Sequence, residues 1–105
     1  MDAVCTLISK TMTTDELGFP VAVDTPYETF CQVDSISRAE FFDAGKAGLT
    51  PEYVFIINAV EYNSQSEVEY EGKRYTIYRT YYRKNDDMME LYAEYRSGVT
   101  DVDND

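Results

Sequence analysis

The segment from Tyr53 to Tyr62 constrains the fold of this chain more than any other part of the sequence. Its residues, YVFIINAVEY, are almost continuously apolar or β-branched and lack the spacing that gives a helix one apolar stripe. Such a run is typical of a strand buried on both faces. We therefore predict a central strand here, with the other elements packed around it.

The segments on either side of this run predict about five more strands. Each is short, has alternating or β-branched side chains, and is bounded by residues that favour turns. They are Ala3–Lys10, Tyr27–Ile36, the two strands of a hairpin within VEYEGKRYTIY, and Met88–Arg96. About six strands in a chain of 105 residues predict a mainly β-fold, either a small antiparallel barrel or a sandwich.

The predicted hairpin can be given a register from its turn. With a two-residue Glu-Gly turn, the hairpin sets Glu69 opposite Arg74 and Val68 opposite Tyr75. The first pair is expected to form an exposed cross-strand ion pair, and the second to share a buried face. This register therefore gives each strand one polar and one apolar side.

Between the second and third strands, the pattern changes to that of a short helix. Ser37 and Glu40 have the S-x-x-E spacing in which a hydroxyl and a carboxylate reciprocally satisfy free amide groups at a helix start. Gly45 and Gly48 are stop signals that limit the helix to about two or three turns. The predicted fold thus has one short helix between strands 2 and 3.

The chain length and its local composition predict a single β-barrel domain over residues 1–98. Residues 11–26 contain Gly18, Pro20 and Pro26 without a clear period, so a long mobile loop is expected there. Residues 99–105 are acidic and are expected to form a disordered tail. No apolar run approaches the roughly 18–20 residues that span a bilayer, so no membrane association is expected.

Composition argues against several classes of function. The 20 acidic and 9 basic residues give a net charge of -11, which opposes general binding to phosphate backbones. His is absent, which excludes His-dependent triads. Cys5 and Cys31 form no CxxC pair, so buried free thiols are predicted, with a disulfide as the alternative. We predict no catalytic residue, no cofactor and no metal, although Glu67 and Glu69 share a strand face on which an enzyme could place an acid and a base.

Charge is distributed unevenly along the chain. The first 72 residues carry 13 acids and 3 bases, whereas residues 73–96 carry 4 acids and 6 bases. If these segments lie on different faces, copies can meet head to tail, as in a ring; otherwise the charge only keeps the domain soluble. Tyrosines in the basic segment fit a protein interface better than a platform for stacking bases. The predicted subunit or partner interface comprises Arg74, Tyr78, Arg79, Tyr82 and Arg83.

Two motifs in this order resemble the head-closure, or head-tail joining, proteins of long-tailed bacteriophages. The first is S-x-x-E-F-F-x-A-G within SISRAEFFDAGKAGLTPEYVF, and the second is Y-x-G-K-x-Y-x-I-Y-R-T within VEYEGKRYTIYRTYYR. The resemblance covers roughly Tyr27 to Tyr92. It implies a small β-barrel that self-associates into a ring, expected to be dodecameric, beneath the portal and adaptor proteins after DNA packaging.

The resemblance also implies a function in the virion, where the ring retains the genome and presents a docking surface to tail proteins. DNA passes through the channel without being bound specifically. In this family the insertion between the second and third strands faces the channel, and here it corresponds to Arg38–Glu52. The implied channel or gate residues are Arg38, Glu40, Phe42, Asp43, Gly45, Lys46 and Gly48. Alternatively, the short helix only caps one end of the barrel.

A second class of function also fits an acidic phage protein of this size. Carboxylates can stand in for phosphates, so the chain could be a DNA mimic that inhibits a host DNA-binding protein. The acidic residues follow no regular spacing, and the basic segment from Lys73 to Arg96 counts against this alternative.

Overall fold

The structure, a computed structural model, describes residues 2–95 and contains six strands and one α-helix within that range. The elements are β1 (Asp2–Thr14), β2 (Pro20–Ser35), α1 (Arg38–Lys46), β3 (Pro51–Asn58), β4 (Glu67–Tyr70), β5 (Lys73–Arg83) and β6 (Met88–Tyr95), with a 3-10 helix at Ala59–Glu61. The predicted mainly antiparallel β-fold is confirmed. The acidic segment at residues 99–105 lies outside the described residues.

The strands pair antiparallel and close on themselves in the order β1-β2-β3-β6-β5-β4. Because β1 is hydrogen-bonded to both β2 and β4, the sheet forms a closed barrel. Only parts of the two longest strands belong to it. β1 pairs with β4 over residues 6–8, and β2 pairs with β3 over residues 32–35. The rest of the β1–β2 ladder extends past these pairings.

The core lies inside the barrel. Its largest fully buried side chains are Phe55, Leu7, Ile57, Leu91 and Val68. Burial of each of these contributes about 1.5–3 kcal/mol to stability. Val54 and Ile56 alternate with the core residues of β3 and are buried too, on the strand face opposite the core. The prediction that this strand is buried on both faces is confirmed, although it ends at Asn58, where the 3-10 helix follows.

The two cysteines lie in this core. Cys5 and Cys31 are free thiols and are both buried, as the first of the two alternatives predicted. The hydrogen bond to Cys31, together with burial, raises the pKa of the Cys5 thiol above its usual range. Cys5 therefore stays protonated and acts as a small apolar core residue.

The β4–β5 hairpin has the predicted register. Glu69 pairs with Arg74, and Val68 pairs with Tyr75. The two turn residues, Glu71 and Gly72, have φ values of 52° and 78°. Positive φ at both central positions is the requirement of the tight turns that match strand twist, and glycine meets it without steric cost.

The expected long loop at residues 11–26 is wrong in its secondary structure. Thr11–Thr14 continue β1, and residues 20–26 begin β2, with the register running from Lys10 opposite Asp24 to Thr14 opposite Pro20. β1 is the only described strand beside this part of β2, so one edge of residues 20–26 is open. Proline is tolerated at such an edge, because no neighbouring strand needs the backbone N–H that proline lacks. We call residues 10–26 the arm. Every residue in it is exposed.

The tip of the arm is ordered by one carboxylate. Asp15 accepts hydrogen bonds from the backbone N–H groups of Leu17 and Phe19, each at 2.9 Å. The Asp15 N–H also donates to the Phe19 carbonyl at 3.0 Å, and Gly18 supplies the positive φ of 86°. The tip is therefore a turn with a defined backbone, from which the side chains of Leu17 and Phe19 project into solvent.

The two glycines predicted as stop signals lie at the end of α1. Gly45 lies within α1, and Gly48 follows the helix with a φ of 84°. The Leu49 N–H donates to the Ala44 carbonyl at 3.1 Å, and the Gly48 N–H donates to the Gly45 carbonyl at 3.0 Å. These two bonds are the pattern of a Schellman helix end.

The two glycines give a matched pair of substitutions with opposite predicted effects. A Cβ added at Gly45 meets nothing within 4 Å, so Gly45→Ala should raise the free energy of unfolding by about 0.5–1 kcal/mol. Gly48→Ala should lower it by about 1 kcal/mol, because alanine is strained at positive φ. Urea unfolding followed by circular dichroism measures both. Equal effects of the two substitutions would contradict the helix end described here.

Candidate functional site

A bulge in β5 brings two consecutive side chains to one place. Ile77 pairs with Ala93 and Arg79 pairs with Tyr92, so Tyr78 is an extra residue in the ladder. A bulge interrupts the alternation of a strand and redirects its side chains. Tyr78 and Arg79 consequently contact the same acceptor, although neighbouring strand residues normally point to opposite faces.

That acceptor is the Glu40 carboxylate of α1. It accepts hydrogen bonds from the Tyr78 hydroxyl at 2.6 Å and from Arg79 Nη2 and Nε at 2.6 and 3.1 Å. The Arg79 guanidinium also lies over the Tyr92 ring, 3.8 Å from its centroid. We call these four residues the Glu40 cluster. The Glu40 side chain is only 14% exposed, so its charge is largely shielded from water.

The Glu40 cluster changes the role that the sequence assigned to Glu40. Ser37 caps α1 as predicted, with its hydroxyl accepting from the Glu40 N–H at 3.1 Å. The Glu40 carboxylate makes its hydrogen bonds with β5 instead of completing the reciprocal cap. Half of the predicted capping box is thus present, and the other half is replaced by a tertiary contact.

The electrostatics of the cluster favour a charged acceptor and neutral tyrosines. The hydrogen bond from Arg79 is the main influence that lowers the pKa of Glu40, with Tyr78 helping and burial opposing. Burial and the bond to Glu40 raise the pKa of Tyr78 above its usual range. Burial, with Glu90 nearby, raises the pKa of Tyr92 to about 12. The cluster therefore clamps α1 to the sheet.

A second charged network lies at the root of the arm. Arg74 contacts Glu67 at 2.6 Å and Asp24 at 3.7 Å, while Lys10 contacts Asp24 at 2.9 Å and Glu67 at 3.9 Å. The hydrogen bond from Lys10 lowers the pKa of Asp24. The predicted Glu69–Arg74 ion pair is the longest of these contacts, at 4.0 Å. Glu67, considered above as half of an acid–base pair, thus joins the arm to the barrel.

The remaining predicted interface residues also have partners in their own chain. Arg83 contacts Asp86 at 2.9 Å and Glu90 at 3.5 Å, and the Tyr82 hydroxyl donates to Asp87 at 2.6 Å. The cations at positions 74, 79 and 83 are therefore all paired with carboxylates of the subunit. Their contact with another protein stays a prediction, but the basic segment presents less free positive charge than its sequence implies.

The predicted gate residues form one element. All but Gly48 lie in α1, and Gly48 terminates the helix. Glu40 is directed to β5, whereas Phe41 and Phe42 are exposed to solvent, at 52% and 63%. These two rings line a shallow depression of about 430 Å³ together with Ile36, Ser37 and Arg38.

Further apolar exposure occurs at the tip of the arm. Leu17 is 79% exposed and Phe19 is 62% exposed. This exposed apolar surface is not among the predicted features, because Gly18 and the prolines favour a loop over the whole segment. The available signal was the apolar content of residues 17–23, LGFPVAV, which is high for an exposed loop.

No protein-family model matches this chain, and no curated protein matches its sequence. The described residues contain no group of three or more potential metal-ligating acids or cysteines. No helix within residues 2–95 is long and apolar enough to cross a membrane.

The Glu40 cluster makes a testable contribution to stability at neutral pH. The carboxylate has a folded-state pKa below its ordinary value of 4.5, so its stabilising effect is present above that pH and is lost as the pH falls. Glu40→Gln should lower the free energy of unfolding by about 2 kcal/mol near neutral pH. The difference in free energy of unfolding between Glu40→Gln and the unmodified protein should become smaller as the pH falls below the ordinary glutamate pKa.

Asp43→Asn is the matched control for this substitution. It removes one carboxylate from the same helix at an exposed position that has no hydrogen bond to β5. Urea unfolding of both variants and the unmodified protein, at about pH 7 and about pH 3, measures the difference. Equal stability of the two variants at both pH values would show that the cluster does not hold α1.

Proposed function

We propose that this chain is a structural subunit of the head-tail connector of a long-tailed bacteriophage. It assembles into a ring below the portal and adaptor proteins, closes the channel after DNA packaging, and provides the surface on which the tail docks. The proposal rests on the resemblance of the two sequence motifs, and one contact in the structure supports it most strongly.

That contact is the Glu40 cluster, because it joins the two motifs. Glu40 belongs to S-x-x-E-F-F-x-A-G, whereas Tyr78 and Arg79 belong to Y-x-G-K-x-Y-x-I-Y-R-T. Glu40 and Tyr78 lie 38 residues apart in sequence, and the side chains of the two motifs meet in three hydrogen bonds. A shared structural role explains why both motifs occur together in one chain. It ties the segment that would face the channel to the barrel wall.

The architecture is compatible with a ring subunit in the proposed sense. The strands within the closed barrel have partners on both sides, so the body can present surfaces without edge-to-edge aggregation, and open strand edges are confined to the extended β1–β2 ladder. The arm projects from that body and supplies additional surface for contacts. Residues 38–50, which lie between β2 and β3, would face the channel, as the resemblance implies; the last two residues of the predicted insertion, Pro51 and Glu52, belong to β3.

The charge of the chain is suited to the lining of a channel through which DNA passes. A net charge of -11 repels phosphates, and the arginines of β5 are paired with carboxylates of their own chain. Passing DNA would therefore meet few free cations. Weak adhesion is an advantage in a channel that must release the genome rapidly.

The proposal is tested in a phage that carries this gene. Purified virions should contain the chain by mass spectrometry, and deletion of the gene should yield DNA-filled heads that leak DNA and do not join tails. Supplying the gene on a plasmid should restore infectivity. Normal infectivity after deletion would overturn the proposal. Co-purification with a host DNA-binding protein, instead of virion proteins, would favour the DNA mimic.

The purified protein should not bind duplex DNA at physiological salt. It lacks the free basic surface that displaces counterions from the phosphate backbone. A mobility-shift titration with duplex DNA checks this expectation, with a basic DNA-binding protein as the positive control. Salt-sensitive binding at micromolar concentration would contradict it.

A further inference from the structure

Two exposed surfaces of the chain are chemically complementary. The tip of the arm presents the apolar side chains of Leu17 and Phe19 next to the acidic Glu16. The depression on α1 presents the rings of Phe41 and Phe42 next to the basic Arg38. Each surface thus combines two large apolar groups with one charge, and the two charges have opposite signs.

Both charges are available for such a contact. Glu16 and Arg38 are exposed, and neither forms an ion pair with any of the described residues. They differ in this respect from the arginines of β5, each of which is held by a carboxylate. An ion pair between the two surfaces would therefore break no existing salt bridge.

The two surfaces of one chain cannot reach each other. The tip precedes the first residue of β2, and α1 follows its last residue. β2 has 16 residues, which at about 3.3 Å per residue separate its ends by about 50 Å. The longest dimension of the molecule is 48 Å, so the tip and the helix lie near its opposite ends. The complementary surface must come from another molecule.

We infer that the arm tip of one copy docks on the α1 depression of a second copy of this chain. Leu17 and Phe19 pack against Phe41 and Phe42, and Glu16 pairs with Arg38. The inference rests on the proposed function for its head-to-tail order, since contacts between two different surfaces of identical subunits generate rings when the rotation closes. It assigns Arg38 and Phe42 to the subunit contact instead of the channel.

The order of the tip favours this contact. Asp15 fixes the turn through two backbone hydrogen bonds, so docking does not need to order a flexible loop. Leu17 and Phe19 bury little surface against two phenylalanine rings, so the association of one tip with one depression is weak. Closure of a ring on a pre-assembled portal and adaptor would then provide the multiple simultaneous contacts that stabilise it.

Covalent trapping can detect such a weak contact in the purified full-length protein. The double variant Leu17→Cys/Phe42→Cys, treated with a short thiol-reactive cross-linker, should form dimers and larger oligomers. Thr13→Cys/Phe42→Cys is the matched control, because Thr13 is also exposed but lies in the β1–β2 ladder, outside the turn at the tip. The unmodified protein reports the background from the buried Cys5 and Cys31. Equal oligomer yields from the two pairs would overturn the contact.

A charge swap tests the predicted ion pair in the cross-linking background. Glu16→Lys and Arg38→Glu should each lower the oligomer yield several-fold, and the two together should restore most of it. Circular dichroism verifies that the variants remain folded, which is expected because neither side chain has an ion-pair partner among residues 2–95. Unchanged yields from the single variants, or a further loss from the combination, would overturn the ion pair.

The outcomes separate this inference from the function on which it rests. Cross-linked oligomers from a protein that is missing from virions would support the contact and overturn the phage assignment. If the chain is found in virions but Leu17→Cys/Phe42→Cys gives no more oligomer than the control variant, the phage assignment stands and the contact is overturned. Cross-linking that stops at dimers with two links would support the contact and exclude its head-to-tail order.

Discussion

The arrangement of α1 depends on one carboxylate that accepts three hydrogen bonds. Glu40 joins a helix near the middle of the chain to a strand almost forty residues later, and the bulge in β5 makes this possible. α1 also contacts β3, and Ala44 is its buried residue. The same orientation leaves Phe41 and Phe42 in solvent. The clamp therefore determines which face of the helix is available to other molecules.

Charge and apolar surface are used differently in this molecule. The arginines of β5 stabilise the subunit through ion pairs with Glu67, Glu40 and Glu90. Large apolar side chains are exposed at the tip of the arm and on α1, and others are exposed elsewhere, including Phe30, Val60 and, on β5 itself, Tyr81 and Tyr82. Assembly through apolar contacts should depend less on salt than assembly through the basic segment. Salt dependence thus distinguishes the interface predicted from sequence from the one inferred from structure.

Local patterns in the sequence predicted much of the barrel. The apolar run that became β3, the register at Val68 and Tyr75, and the cap at Ser37 each follow from neighbouring residues alone. The arm was missed because Pro20 and Pro26 were interpreted as signals against a strand. Their effect depends on whether the strand has a partner on its second edge, which only the tertiary structure determines.

The candidate site was less predictable for a related reason. The spacing of Ser37 and Glu40 identifies a helix cap, but it contains no information about which distant donor competes for the carboxylate. The sequence of β5 likewise does not indicate the bulge at Tyr78, since the residues around it are ordinary strand formers. Contacts between distant segments therefore had to come from the structure.

Electron microscopy of the neck of virions that carry this gene tests the central claim most directly. We expect a ring of density between the adaptor and the tail, into which copies of the barrel fit with each arm reaching the α1 of a neighbour. A neck with no density that accommodates this barrel, in virions that are infectious and contain DNA, would contradict it.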